Sequence, residues 1–145
     1  KNFDSDFIHT EFLDNFEKEI NTINPCSHRN IKSFKEQIDS ILPALGAAKR
    51  IRVDIDSQMY ITGVYKQLGI CIQFGNVSRF YADLIKLQHL YISGVIVEGL
   101  IVSLNKELHS HFSLSNCTSF QRASKEMGIF KTFINSPIMI LGVNE

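Results

Sequence analysis

Between Gly69 and Leu104 the side-chain period changes twice, and that change restricts what the chain can become more than any other feature. Gly69-Ile-Cys-Ile-Gln-Phe-Gly-Asn-Val-Ser78 reads as a short strand that turns through Gly75-Asn76 into a helix. Val77, Phe80, Tyr81, Leu84, Leu87 and Tyr91 then trace one helical face that stops at Gly94. Val95 to Leu104 is nearly all apolar, the mark of a strand buried on both faces. Such a strand needs helices on either side, so the sequence predicts an α/β or α+β sandwich with a central mixed sheet flanked by helices.

The rest of the chain fits this frame. Phe7, Ile8, Phe12, Leu13, Phe16 and Ile20 recur at helical spacing and predict an amphipathic helix over 4–22, broken by Asn24-Pro25. A second helix is predicted over 30–42, ended by Pro43 and Gly46. Ile51, Val53 and Ile55 alternate with Arg52, Asp54 and Asp56, which predicts a strand with one charged face. Tyr60 to Tyr65 and Leu68 to Phe74 follow as strands around a Lys66-Gln67 turn. After a polar loop with His109 and His111, a helix is expected over 116–127 with Asn116 as its cap, and Ile138 to Val143 reads as a last buried strand. One domain is expected over 1–145, with a helical part over 1–45 and a core over 50–145.

Composition narrows the partners. The chain has 145 residues, 15 basic and 15 acidic, for a formal net charge of zero. A nonspecific polyanion binder usually carries a basic excess, so any nucleic-acid contact must come from a local patch. Cys26, Cys71 and Cys117 are widely spaced and form no CxxC or zinc pattern, which makes a reducing cytoplasm the expected compartment. The run near Val95 is too short for a membrane span, and no signal peptide is read at the start.

Each candidate residue has a plain reading beside a chemical one. Cys71 fits a small buried hydrophobe on a central strand, and no nearby histidine in the sequence would activate it as a nucleophile. Asp54 and Asp56, next to Arg50 and Arg52, are either the solvated face of an edge strand or metal carboxylates. Gln73 and Asn76 shape and cap the turn. Asn76 or Ser78 would satisfy the free amides, while the same helix N-terminus with Arg79 makes a phosphate site. Lys86 and His89 are expected on the solvated side of this helix. Phe80, Tyr81 and Tyr91 fit core or dimer packing better than base stacking.

Gln73-Phe-Gly-Asn-Val77, the following helix, the apolar strand and the closing Ile138-Met-Ile-Leu-Gly-Val143 together resemble the BamHI/BglII type of type II restriction endonucleases, in the PD-(D/E)xK nuclease superfamily. The resemblance covers roughly half of the chain and implies an α/β fold with a restriction-endonuclease-like core. It also implies an enzyme, a homodimeric, Mg²⁺-dependent site-specific deoxyribonuclease of restriction–modification systems. Such an enzyme hydrolyses double-stranded DNA at a short palindrome, the partners being DNA and a second copy joined through helices 78–91 and 116–127. Members place an Asp at the end of one strand, a Glu on the next, and a polar residue two positions beyond on the same side. Carried over, Gln73 matches the third position and Cys71 falls where the Glu stands, a departure because a thiol is a poor magnesium ligand. The Asp falls on Thr62 with the BglII-like spacing and on Asp54 with the BamHI-like one. The resemblance favours Asp54, with Asp56 as a substitute metal ligand. On this reading Asp54, Cys71 and Gln73 occupy the catalytic positions, and Asn76, Ser78 and Arg79 hold DNA. The alternative is the same fold with a dead metal site, acting as a DNA-binding or dimeric assembly module.

Overall fold

The computed structural model describes residues 7–144. Helices α1 (Thr10–Ile20) and α2 (Ile31–Ala44) precede three strands, β1 (Ala48–Arg52), β2 (Tyr60–Tyr65) and β3 (Leu68–Ile72). Then come α3 (Val77–Ile92), β4 (Glu98–Leu104), α4 (Lys106–His111), α5 (Phe120–Phe130) and β5 (Ile138–Val143). Among the described residues the strands form a five-stranded mixed sheet in the order β1-β2-β3-β4-β5. The first three strands form an antiparallel meander, and β3, β4 and β5 run parallel. The parallel pairs are joined by helical crossovers, as parallel connections require.

Strand alternation assigns the two faces. Leu68, Ile70, Ile72 and Phe74 pack with Phe12, Leu13 and Phe16 of α1 and Phe34, Ile38 and Leu42 of α2. Cys71, Ile101 and Ile140 face the other way, against Phe80, Leu84 and Leu87 of α3 and Ala123 of α5. Every residue of β4 is buried, as its nearly all-apolar run predicts. Burying a side chain such as Phe16 or Phe34 contributes roughly 1.5–3 kcal/mol before the entropy of ordering it. Glu98, the one charge in that run, holds the residues that lead into α1. It accepts hydrogen bonds from the backbone N–H of Ile8 and of His9 (3.2 Å) and pairs with His9 Nδ1 at 2.7 Å.

Several boundaries differ from the sequence pattern. α1 begins at Thr10, and positions 4–6 of the predicted helix lie outside the described residues. β1 ends at Arg52, so Asp54, Ile55 and Asp56 are not on a strand face. Instead, Asp54 Oδ1 accepts from Asp56 N at 2.9 Å and Asp54 O accepts from Ser57 N at 3.2 Å, a local turn that overrides the alternating pattern. Ile55 is left 81% exposed. The helix expected over 116–127 starts at Phe120 because Ser119, rather than Asn116, caps it by accepting from Arg122 N. The stretch read as a loop around His109 is α4, and His109 is buried. Among the described residues, no helix is long and apolar enough to cross a membrane.

Candidate functional site

β3 organises the site because its neighbour β2 leaves it. The β2–β3 ladder runs from Tyr65↔Leu68 to Gly63↔Ile70. One step further, Thr62 Oγ1 accepts the Ile72 N–H at 2.9 Å, and on the other side Gln73 N donates to Val102 O at 2.8 Å. A side chain thus replaces a backbone partner, and β3 stays anchored to β4 while its β2 side opens. The opening is a cleft of about 420 Å³ lined by Lys32 and Lys35 from α2, Thr62, Gln73, Gly75, and Arg79 and Asp83 from α3. A second cleft of about 350 Å³ shares Lys35 and Thr62 and continues past Asp39, Lys49, Arg50 and Tyr60.

The two clefts adjoin at Lys35 and Thr62, and the groove they outline together is lined by five cations (Lys32, Lys35, Lys49, Arg50, Arg79) and two carboxylates (Asp39, Asp83). A chain of zero net charge therefore concentrates a local excess of three positive charges along this groove. Lys35 pairs with Asp39 at 3.5 Å and Lys32 with Glu36 at 4.0 Å. Arg50 adopts a left-handed backbone (φ 54°) and holds its guanidinium 4.8 Å above the Tyr60 ring.

Gln73 is fully engaged: its Oε1 accepts from Gly75 N and its Nε2 donates to Asp83 Oδ2, both at 2.7 Å. A side chain at position 75 would meet Gln73 Oε1 at 2.9 Å, so glycine keeps this turn tight. Asp83 is 7% exposed, and its second oxygen, Oδ1, takes the Lys86 ammonium at 2.8 Å. Thus Lys86, expected to be solvated, is partly buried in an ion pair. Cys71 is 1% exposed in the cluster under α3. Burial pushes its thiol well above its ordinary range and the Asp83 charge adds to this, while Lys86 and Lys35 pull the other way.

At the start of α3, Asn76 caps the helix by accepting from Arg79 N at 3.2 Å and from Ser78 Oγ at 2.6 Å. Asn76, Ser78 and Arg79 are all exposed there, and Arg79 lines the cleft. Asp54 is not brought to Gln73. It lines a largely apolar cavity of about 380 Å³ between the 53–59 loop and α3, with Met59, Ile85 and Lys86. Asp56 is exposed on the same loop. Thr62 lines the same cleft as Gln73, with its hydroxyl on the neighbouring Ile72 N–H. Asp83 is not singled out by the sequence and Lys86 reads there only as solvated, although one signal exists: Asp83 interrupts the apolar stripe of Phe80, Leu84 and Leu87.

A family model for the restriction endonucleases BglII/BglIII matches residues 8–143. The chain belongs to this family. The fold agrees: a crystal structure of restriction endonuclease BglII complexed with a DNA 16-mer superimposes with a TM-score of 0.79 at 10% identity, covering 95% of this chain and 71% of that one. No curated protein matches the chain.

Restriction endonucleases generally use a divalent metal, so the donor set can be tested against one. Magnesium takes several hard oxygen ligands. Here Cys71 two positions before Gln73 is a buried thiol whose pKa is pushed up, Thr62 Oγ1 already accepts a backbone N–H, and the cleft carboxylate beside Gln73 is held by an amide and an ammonium. Among the described residues, no group of three His, Cys, Asp or Glu side chains could hold a metal ion. The residues present do not fit magnesium.

Proposed function

We propose that this member of the BglII family binds double-stranded DNA through the groove between α2, β2 and the start of α3, and that it no longer hydrolyses it. The observation that carries this reading is the groove itself, where five cations gather on a chain of zero net charge. Phosphates of a duplex are the natural counter-charge for such a row, and neutralising them releases counterions. Arg79, and the exposed helix N-terminus with Asn76 and Ser78, would add backbone contacts.

Loss of hydrolysis follows from the donor set. The competing reading, Mg²⁺-dependent cleavage at a short palindrome with Asp54 and Asp56 on the metal, needs a carboxylate delivered from the 53–59 loop to Gln73. Asp54 instead braces its own turn. A homodimer remains part of the proposal. Ile85 of α3 is 67% exposed, and it edges an apolar cavity of about 220 Å³ that Phe130, Phe133 and Ile134 continue at and beyond the end of α5. A twofold pair joined there would present the groove twice, as a palindromic duplex requires.

The test pairs binding with cleavage. Sedimentation and fluorescence anisotropy on a mixed-sequence duplex are expected to show a dimer with salt-dependent affinity. Incubation of long DNA with Mg²⁺ or Mn²⁺ is expected to leave it intact, both for the natural chain and for Cys71→Glu, since Thr62 still lacks a charge. Discrete fragments from the natural chain, abolished by Asp54→Ala, would restore the hydrolytic reading. Absence of salt-dependent binding would sink the DNA-binding one.

A further inference from the structure

The mismatch between the cleft and magnesium leaves an electrostatic question. A carboxylate facing into a groove built for phosphates repels them, and Asp83 is such a carboxylate. In a metal-dependent site a divalent cation would both neutralise the acid and attract the phosphate. This cleft does the first task with its own chain. Asp83 and Lys86 are three residues apart on α3, so the helix sets them on one face. Their contact is 2.8 Å, with side-chain exposures of only 10% for Asp83 and 20% for Lys86, so solvent screens the pair weakly. Gln73 Nε2 fixes the other carboxylate oxygen and thereby the orientation of the group. Lys86 approaches from the far side, since it lines the apolar cavity under the 53–59 loop while Asp83 lines the cleft. The groove thus has one of its two acids, Asp83, neutralised from behind, with its five cations in front.

We propose that the Lys86 ammonium stands in for the divalent cation, so that duplex DNA binding by this groove is independent of divalent metal. The inference rests on the DNA-binding reading above, and its own content is the role of Lys86. A lysine is suited to the task because it is a compact point charge on a flexible stem that reaches one carboxylate oxygen. It supplies neutralisation without the open coordination positions that activate water. Binding without chemistry is then a property of the donor set.

The experiment measures anisotropy of a mixed-sequence duplex in EDTA and in millimolar Ca²⁺ at matched ionic strength. Mn²⁺ uptake by the free protein, followed by electron paramagnetic resonance, is a second and DNA-independent arm. For the natural chain the two affinities are expected to agree, and the Mn²⁺ signal to show no saturable site. Lys86→Met is expected to weaken binding in EDTA by roughly tenfold, the effect of one like charge left facing phosphate across a partly buried cleft, and Ca²⁺ should recover it. The double variant Asp83→Asn with Lys86→Met should bind without Ca²⁺, because neither charge remains. A natural chain whose affinity rises about tenfold with Ca²⁺ would overturn the proposal. So would saturable Mn²⁺ binding by the natural chain that Asp83→Asn removes. If no duplex binds under any condition, the DNA-binding reading fails, and Mn²⁺ uptake still tests Lys86: a saturable site gained by Lys86→Met supports it in the place of a cation, and none gained overturns that role.

Discussion

The groove makes a quantitative prediction about salt. Five cations line its two clefts: Lys32, Lys35, Lys49, Arg50 and Arg79. If each neutralises one phosphate, log affinity falls against log salt with a slope of about −4.5 per protomer, near 0.9 for each contact. Raising salt from about 50 to about 200 mM would then weaken binding by roughly 500-fold. The most informative single change is Lys35→Gln, because Lys35 lines both clefts and sits between Thr62 and Asp39. Its present partner Asp39 does not remove it from play, since a pair at 3.5 Å with the lysine side chain 37% exposed is weak enough to yield to a phosphate. The expected outcome is a slope shallower by about 0.9, with weaker affinity on every duplex sequence alike. Arg79→Gln should add a similar change, and Lys131→Gln, beyond the end of α5 and outside the groove lining, should change nothing. The assay is anisotropy on one labelled duplex across a salt series. A slope that Lys35→Gln and Arg79→Gln leave untouched would refute the placement of DNA in this groove.

Two further outcomes probe the core that holds the site. Alkylation of the native protein with iodoacetamide, read by mass spectrometry, should mark the exposed Cys26 first and Cys71 only on unfolding. Burial holds the Cys71 thiol protonated far above the ordinary range, and raising the pH moderately should not change that order; early labelling of Cys71 would contradict its burial. Phe34→Ala removes a fully buried ring that lies 6.0 Å from Phe74 and 5.5 Å from Phe112, and should lower stability in a urea titration by about 3–5 kcal/mol. A loss below about 1 kcal/mol would mean that α2 is not packed on the sheet as described.

What the sequence made legible is what periodicity can encode. The strand–turn–helix–strand run from Leu68 to Leu104 is read to within a few residues, because buried parallel strands and one apolar helix stripe leave a signal in residue type alone. The 53–59 segment was misread for the opposite reason. Ile51, Val53 and Ile55 alternate like a strand, but the Asp54 carboxylate accepts the Asp56 N–H and turns the chain before Ile55 can pair. Asp54, which the BamHI-like spacing favours as a metal ligand, therefore lines the cavity under the 53–59 loop, while Thr62 lines the cleft with Gln73. The groove itself is not periodic. Lys35, Thr62 and Arg79 lie on three elements, and only the fold brings them to one cleft.

The state of the cleft is better explained by a set of linked residues than by one substitution. A carboxylate in place of Cys71 would lie in an apolar cluster and within reach of the Asp83 charge, and two buried acids so close need a cation between them. A thiol removes one of those charges and suits the cluster, since a protonated cysteine packs as a small hydrophobe. One acid then remains, and one ammonium is sufficient to balance it: Lys86 supplies it at 2.8 Å. Thr62 completes the arrangement, because a hydroxyl can accept the Ile72 N–H that the departing β2 backbone leaves unpaired, without bringing charge to the cleft. Cys71, Thr62 and the Asp83–Lys86 pair therefore satisfy one another with no ion. A glutamate placed at position 71 alone would add a buried charge while leaving Thr62 neutral and Lys86 beside Asp83. On the proposed reading, metal chemistry would need several of these residues to change together, and the groove cations would hold a duplex without it.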